Sequence, residues 1–542
     1  MKLKVLENTT ALIKKKKINM NIADRLVKIL EENGVKHIFG HPGEQILPFY
    51  KALQGSKIQH ILMRHEQAAI HACDAYSRSS SNLGVCVSTA GPGAMNLTMG
   101  LATAFKDNVP ILVITGDNSI DIRNEDHFQS IAISKIFKNI TFKSFNPKSV
   151  KELLNDFYIA IQILNKNPKG PVHINLSKDL LTCSDISIKK PKYDPVFNYD
   201  NLNKALDLIK KSKKPLIIAG SGIKYSNSIR EFRNLVYEKN IPIVNTYPAK
   251  GIISEFDEHN LGLLGIRGSK KSNYALKNSD MVIALGSKLS ERTVQDLSFV
   301  EDKLIHVNID EEKLKGKCKI HGNLAIFLKE LNSLNLKFPN EWIDEINSVK
   351  DDFKIQGLDS HKLNPQIAIK NILNCSNDSL IINDAGTHTT WTTIMSKISE
   401  NSQLIFSGSF APMGYGIPGA IGSSIGNPSK DIVLIVGDGG FQMNIQELAT
   451  ISNYKLPIKI CLINNNELGI IRQYEEDIYN MEKYQVDLDN PDFIDISNSY
   501  GISSEKVNSI KNLKVALKNA FRVKKPYFIE IMVESENIPL PK

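Results

Sequence analysis

Short apolar runs, each bounded by glycine, proline or asparagine, alternate along almost the whole chain with segments of helical period. That alternation constrains the fold more than any other feature. Each run suits a buried strand, and repeated strand–helix–strand units require a parallel sheet covered by helices on both faces. In the first third, His37–Phe39, Ile58–Met63, Gly84–Ser88 and Pro110–Thr115 each lead into a helical segment. A second series begins at Pro215–Ala219 and continues through Met281–Leu285 and Leu304–Ile309. A third opens at Leu380–Ile382 and closes at Tyr527–Val533. The proline-bearing stretch Lys189–Asp200 and the polar stretch Asn340–His361 read as linkers. A chain of 542 residues is too long for one core. The expectation is an α/β protein of three domains, each a mainly parallel sheet flanked by helices. Residues 1–20 form a basic tail, followed by domains over 21–188, 200–338 and 360–542.

The net charge of +9 needs locating before it suggests a partner. Residues 1–20 hold six lysines and one glutamate, +5 in all, which leaves +4 for the remaining 522 residues. Lys14–Lys17 reads as a solvated tail or as a short arm for an anionic partner, and Met20 is an alternative start. No nucleic-acid partner is expected. No run reaches the ~18 apolar residues of a membrane span, and no secretory signal is present. Six cysteines without CxxC spacing make neither a disulfide framework nor a zinc site, and they suit a reducing cytoplasm.

In parallel sheets the ligand lies beyond the carboxyl ends of the strands, so the polar residues at those ends carry the functional information. Ile432–Val436 runs into Gly437-Asp438-Gly439, and Pro457–Ile463 runs into Asn464-Asn465-Asn466. Between them a helix is expected with Phe441, Ile445, Leu448 and Ser452 on one face. Such a helix of about 13 residues descends about 20 Å. The returning strand climbs about 23 Å. Asp438 and Asn465 therefore emerge on one sheet edge. A carboxylate, a carboxamide and a nearby main-chain carbonyl are ligands for Mg²⁺, and flanking glycines let a phosphate approach the backbone. Either tripeptide alone is ordinary turn chemistry; the pair, joined by a crossover of the right length, points to metal. Glu66 sits between the strand Ile58–Met63 and a helix of small residues, where it is equally a first-turn glutamate that favours the helix dipole.

Gly437-Asp438-Gly439, followed after 25 residues by Asn465, resembles the diphosphate-binding motif of thiamine-diphosphate enzymes. Phe39-Gly40-His41-Pro42-Gly43, Arg64-His65-Glu66-Gln67-Ala68-Ala69 and Ser88-Thr89-Ala90-Gly91-Pro92-Gly93-Ala94-Met95-Asn96 resemble acetolactate synthase and its relatives, in order and spacing. The resemblance spans residues 21–540 and implies pyrimidine-binding, middle and diphosphate-binding domains. It implies that Asp438, Asn465 and the main chain of Glu467 hold magnesium. It implies that Glu66 relays a proton to the coenzyme's aminopyrimidine ring, which only a carboxylic acid can do. Gly43, Gly386, His388, Met413, Gly437 and Gly439 are implied coenzyme contacts. The reaction implied is decarboxylation of a 2-oxo acid, pyruvate first, with ligation to a second 2-oxo acid; the alternatives are decarboxylation alone and a non-catalytic relative. A homodimer or homotetramer is implied, its site shared between Glu66 of one subunit and Asp438 of another, with room for a small regulatory subunit.

The substrate pocket is expected around Glu44, Asp117, Gln129 and Tyr474. Tyr474 replaces the synthases' tryptophan, Asp117 a glutamine and Glu44 a small residue; Glu44 pulls towards decarboxylation alone. An unpaired carboxylate there would repel a 2-oxo acid. In the middle domain, Gly220-Ser221-Gly222, Gly265-Ile266-Arg267-Gly268 and Gly286-Ser287-Lys288 resemble segments that cradle FAD. Lys288, Asn308, Asn323 and Arg267 depart from that pattern, which leaves FAD open.

Overall fold

The computed structural model describes residues 20–80, 82–123, 125–166, 170–350 and 363–539. The basic tail, Met20 excepted, and much of the second linker lie outside the described residues. Three six-stranded sheets form, and every strand pairing in them is parallel. The first contains β1 (His37–Gly40), β2 (Gln59–Leu62), β3 (Gly84–Ser88), β4 (Ile111–Asp117), β5 (Lys143–Phe145) and β6 (Val172–Ser177), in the order β2-β1-β3-β4-β6-β5. The second contains β7 (Pro215–Ala219), β8 (Ile243–Asn245), β9 (Asn260–Leu263), β10 (Met281–Leu285), β11 (Leu304–Asn308) and β12 (Cys318–His321), in the order β12-β11-β10-β7-β8-β9. The third contains β13 (Leu380–Asn383), β14 (Gln403–Phe406), β15 (Ile432–Gly437), β16 (Ile458–Asn464), β17 (Ser503–Val507) and β18 (Tyr527–Met532), in the order β14-β13-β15-β16-β18-β17. The first and third sheets therefore share one topology. All residues of β3, β4, β10 and β16 are buried, as strands covered on both faces must be. Among the described residues no helix is long and apolar enough to cross a membrane.

The first and third sheets share one hydrophobic cluster, which runs from Phe39 and Ile61 to Leu434 and Phe528. At its centre the helix Glu66–Ser79 packs on the helix Gly416–Gly426. Small residues permit this contact: a Cβ on Gly422 would lie 1.9 Å from the carbonyl oxygen of Ala72. Buried charges surround it. Arg78 pairs with Asp74 at 2.6 Å and Asp107 at 3.0 Å, the Tyr415 hydroxyl donates to Asp74 at 2.9 Å, and Lys288 reaches Asp107 at 3.0 Å. Three domains meet at this network.

Candidate active site

The third sheet reverses its strand order between β13 and β15, which opens a crevice beyond their carboxyl ends. Asp438 follows β15 there and is 2% exposed. Its Oδ2 accepts the Nδ2–H of Asn490 at 2.8 Å, and its Oδ1 accepts the Gly439 N–H at 3.1 Å. The Asn490 amide also reaches Oδ1 of Asn464 at 3.2 Å and of Asn466 at 3.1 Å. Burial pushes the Asp438 carboxyl up, and these hydrogen bonds pull it back. Among the described residues no lysine, arginine or histidine pairs with it. A buried carboxylate ringed by amides and lacking a counter-charge suits a hard divalent cation, which supplies that charge. No cluster of three or more His, Cys, Asp or Glu side chains able to hold a metal occurs among the described residues. A metal at this edge must therefore draw on amide and carbonyl oxygens. The Glu467 side chain is turned to other work. It accepts from Arg472 at 3.0 Å, from Lys483 at 3.2 Å and from the Ser535 hydroxyl. Burial raises its carboxyl, but these partners outweigh burial and hold it below the usual range.

Beside this edge, Asp384 after β13 is fully enclosed. It accepts main-chain N–H groups from Ala385 at 2.6 Å, Gly414 at 3.0 Å and Gly416 at 2.8 Å. It thereby fixes the turn that carries Met413. Burial pushes Asp384 up to about 6. His388 is 3% exposed, and burial lowers it to about 4, so its ring is neutral near pH 7. Its Nε2 has no hydrogen-bond partner. A Cβ on Gly386 would lie 2.7 Å from that ring, and one on Gly439 would lie 3.1 Å from the Met413 methyl. Gly386, His388, Met413, Gly437, Asp438, Gly439, Asn465, Glu467 and Tyr474 all line one cavity.

The crossover from β15 to β16 differs from the single helix expected. It consists of a helix over Asp438–Gln442, a 3₁₀ turn over Ile445–Glu447 and a helix over Leu448–Asn453. The break has a physical cause. Asn444 donates its amide to Gly414 O at 2.7 Å, and the Glu447 carboxylate turns away to accept the main-chain N–H of Arg64 and His65. The two strand ends still meet, because β15 and β16 pair in register up to Gly437 and Ile463.

Gly43, Glu44, Glu66, Asp117 and Gln129 do not line that cavity; they belong to the corresponding edge of the first sheet. Glu66 opens its helix, and its Oε2 accepts the Nδ2–H of Asn96 at 3.0 Å. A Cβ on Gly93 would lie 3.0 Å from Glu66 Oε1, and one on Gly43 would lie 2.4 Å from Thr89 Cβ. Gly91 (φ +56°) faces the backbone of Gln129, itself at φ 59°. Asp117 is committed to its neighbours. It accepts from Asn175 at 2.6 Å and pairs with Arg123 at 3.0 Å, partners that counter only part of the upward push of burial. Glu44 is two-thirds exposed and pairs with Lys178 at 3.2 Å. Neither carboxylate is unpaired, so the repulsion expected from sequence does not arise. Asn96, Glu447 and Asn490 went unassigned in the sequence. Asn96 stands inside a recognised motif, whereas Glu447 and Asn490 carry no local signal.

The middle sheet reverses between β7 and β10, and a second cavity lies there. Its glycines serve backbone packing: a Cβ on Gly220 would lie 2.3 Å from Gly286 O. Lys288 donates to Lys106 O at 2.6 Å and pairs with Asp107, so its ammonium braces the domain junction. Asn308 donates to Ser287 O, and Asn323 caps a helix.

Comparison with known proteins agrees with this geometry. Family models for thiamine pyrophosphate enzymes match the chain three times: the N-terminal TPP binding domain over residues 20–136, the central domain over 202–331 and the C-terminal TPP binding domain over 384–531. The chain belongs to the thiamine pyrophosphate enzymes. Within them it is a homologue of acetolactate synthase large subunits. It is 36% identical to the acetolactate synthase large subunit of Lactococcus lactis, with 95% of this chain and 93% of that protein covered. It is 35% identical to the probable acetolactate synthase large subunit of Methanocaldococcus jannaschii, covering 96% and 93%. It is also 35% identical to the acetolactate synthase large subunit of Cyanidium caldarium, covering 94% and 93%.

Proposed function

We propose that this chain is a thiamine-diphosphate- and Mg²⁺-dependent enzyme that decarboxylates a 2-oxo acid, pyruvate first, and joins the retained acyl carbon to a second 2-oxo acid. The observation that carries the reading is the edge beyond β13, β15 and β16. There the uncompensated Asp438 carboxylate lies in one cavity with the unpartnered Nε2 of His388. A diphosphate bridged by a cation would satisfy both. Asp438, Asn465 and the main chain of Glu467 would hold the metal, and His388 would meet a phosphate oxygen. The bound coenzyme supplies a nucleophilic carbon and a sink for the electrons released with CO₂.

The chain's own residues supply the rest. Glu66 holds the proton that passes to and from the pyrimidine ring, and Asn96 fixes the unused carboxylate oxygen. Met413, held through Asp384, presents an apolar surface against the coenzyme and excludes water. Tyr474 lines the acceptor side of the cavity. Because Glu66 lies on a different edge from Asp438, a complete site forms between the first domain of one subunit and the third of another. Exposed Phe128 and Ile131 beside the first edge, and Ile471 and Ile478 beside the second, supply apolar surface for that contact. Glu44 pairs with Lys178, so its carboxylate is not left to repel an incoming 2-oxo acid unopposed. In the middle-domain cavity Lys288 is committed elsewhere, so FAD enters no step; flavin absorbance of the purified protein tests its presence.

The experiment is incubation of the purified protein with pyruvate, ThDP and Mg²⁺. Acetolactate is the expected product. Acetaldehyde without acetolactate would sink the ligase reading.

A further inference from the structure

Two arginines of the middle domain enter the coenzyme cavity from a pair of joined loops. Gly265 (φ +102°) makes the joint: a Cβ there would lie 2.0 Å from Arg292 O. The Ile266 N–H donates to that same oxygen at 3.2 Å, and the Gly268 N–H closes the turn onto Gly265 O at 2.8 Å. Arg267 and Arg292 thus stand on adjoining backbone, and both line the cavity that holds His388, Asp438 and Tyr474. Tyr247 lines the same cavity; burial raises its hydroxyl and both guanidinium groups draw it back.

Neither arginine pairs with a carboxylate among the described residues. The cavity's own acids are already committed: Asp384 to main-chain N–H groups, Asp438 to the metal edge, and Glu467 to Arg472 and Lys483. Two like charges lining one cavity without a carboxylate partner repel one another, and a ligand with two anionic groups relieves that repulsion. A single carboxylate neutralises only one of them.

Resting on the function proposed above, we propose that Arg267 is a specificity residue and that, with Arg292, it selects a dicarboxylic 2-oxo acid as acceptor. Arg292 also lines the middle-domain cavity, whereas Arg267 lines only the coenzyme cavity, so Arg267 is the residue to change. The reaction itself is unchanged: the donor loses CO₂, and its acyl carbon bonds to the acceptor's keto carbon, whose oxygen takes up a proton.

The test uses the full-length protein with ThDP, Mg²⁺ and pyruvate as donor, and compares 2-oxoglutarate with 2-oxobutanoate as acceptor by mass of the product. The wild type should give the higher kcat/KM with 2-oxoglutarate. Arg267→Gln should lower the ratio of the two about tenfold, the loss of one charge-assisted hydrogen bond. Arg267→Lys should restore part of it. Thermal stabilisation by ThDP and Mg²⁺ should be unchanged in both variants, which shows that the cavity is intact. An unchanged ratio in Arg267→Gln overturns the inference. So does a wild type that makes acetolactate from pyruvate yet ignores 2-oxoglutarate, and in that case the proposed function stands. Failure to couple any acceptor overturns both.

Discussion

The carboxylate of Glu447, 0% exposed in the third domain, accepts the main-chain N–H of His65 at 3.1 Å, one residue before Glu66. The same oxygen accepts the Arg64 N–H at 2.9 Å, and the other takes the Thr450 hydroxyl at 2.6 Å. One domain thus sets the turn from which the other presents its acid. Glu447→Ala would strand two N–H groups at a cost of about 1–3 kcal/mol each. Turnover should fall well before coenzyme binding does. Steady-state rates alongside ThDP-dependent melting shifts check this.

Glu66→Gln keeps the shape and the hydrogen bond from Asn96 but cannot relay a proton. A loss of about 10²–10⁴-fold in kcat is expected, with ThDP binding retained. Asn96→Ala should cost less, because it frees the carboxylate without removing it. Equal activity in wild type and Glu66→Gln would refute the assignment.

Asp438→Ala removes the buried carboxylate proposed to hold the metal. Its melting temperature should no longer rise on adding ThDP and Mg²⁺. For the wild type, ligand at 100 times Kd stabilises by about 2.7 kcal/mol. Stripping the wild type of divalent ions with a chelator should abolish activity, and added Mg²⁺ should restore it.

Gly422→Ala would press a methyl group to 1.9 Å from Ala72 O at the centre of the contact between the first and third domains. Backbone cannot yield as a side-chain tip can. Destabilisation of about 3 kcal/mol is expected, measured by urea unfolding. Wild-type stability would show that the two helices do not pack as described.

Burial lowers His71 and His173 to about 3, and His60, His306 and His388 to about 4. In the unfolded chain each titrates near 6.5, so between pH 6.5 and 4 the unfolded state binds more protons. Stability therefore falls as pH drops through that window, by up to about 1.4 kcal/mol per pH unit for each histidine. Asp384 and Asp156, both raised to about 6, act in the opposite sense below that pH. Between pH 6.5 and 5.5 the five strongly lowered histidines outweigh these two carboxyls; Asp74, Asp117, Asp438, Glu447 and Glu536 are raised less, and act mainly at lower pH. Urea midpoints should be lower at pH 5.5 than at pH 6.5.

Strand runs and strand-end residues act locally, and they were legible. The apolar runs that became β1, β7, β10 and β15 each end at a glycine or one residue before it. Asp438 and Asn465 could be singled out as candidates because a parallel sheet exposes its strand ends to ligand, whereas Glu66 was singled out by the resemblance of its motif. The crossover helix was misread, since its 3.6-residue pattern is real but Asn444 and Glu447 answer to partners on other segments.

What the sequence by itself determined is the α/β architecture and the chemistry at each strand end, because periodicity and turn residues act over a few positions. Only the tertiary structure decided which edges face one cavity, that Lys288 braces a domain junction, that Asp117 and Glu44 are neutralised, and that the first and third sheets share a strand order. The physical reason is range: Lys288 and Asp107 are 181 residues apart, and Arg64 and Glu447 are 383 apart. No local pattern encodes a hydrogen bond whose two partners are joined only through the packing of a shared core.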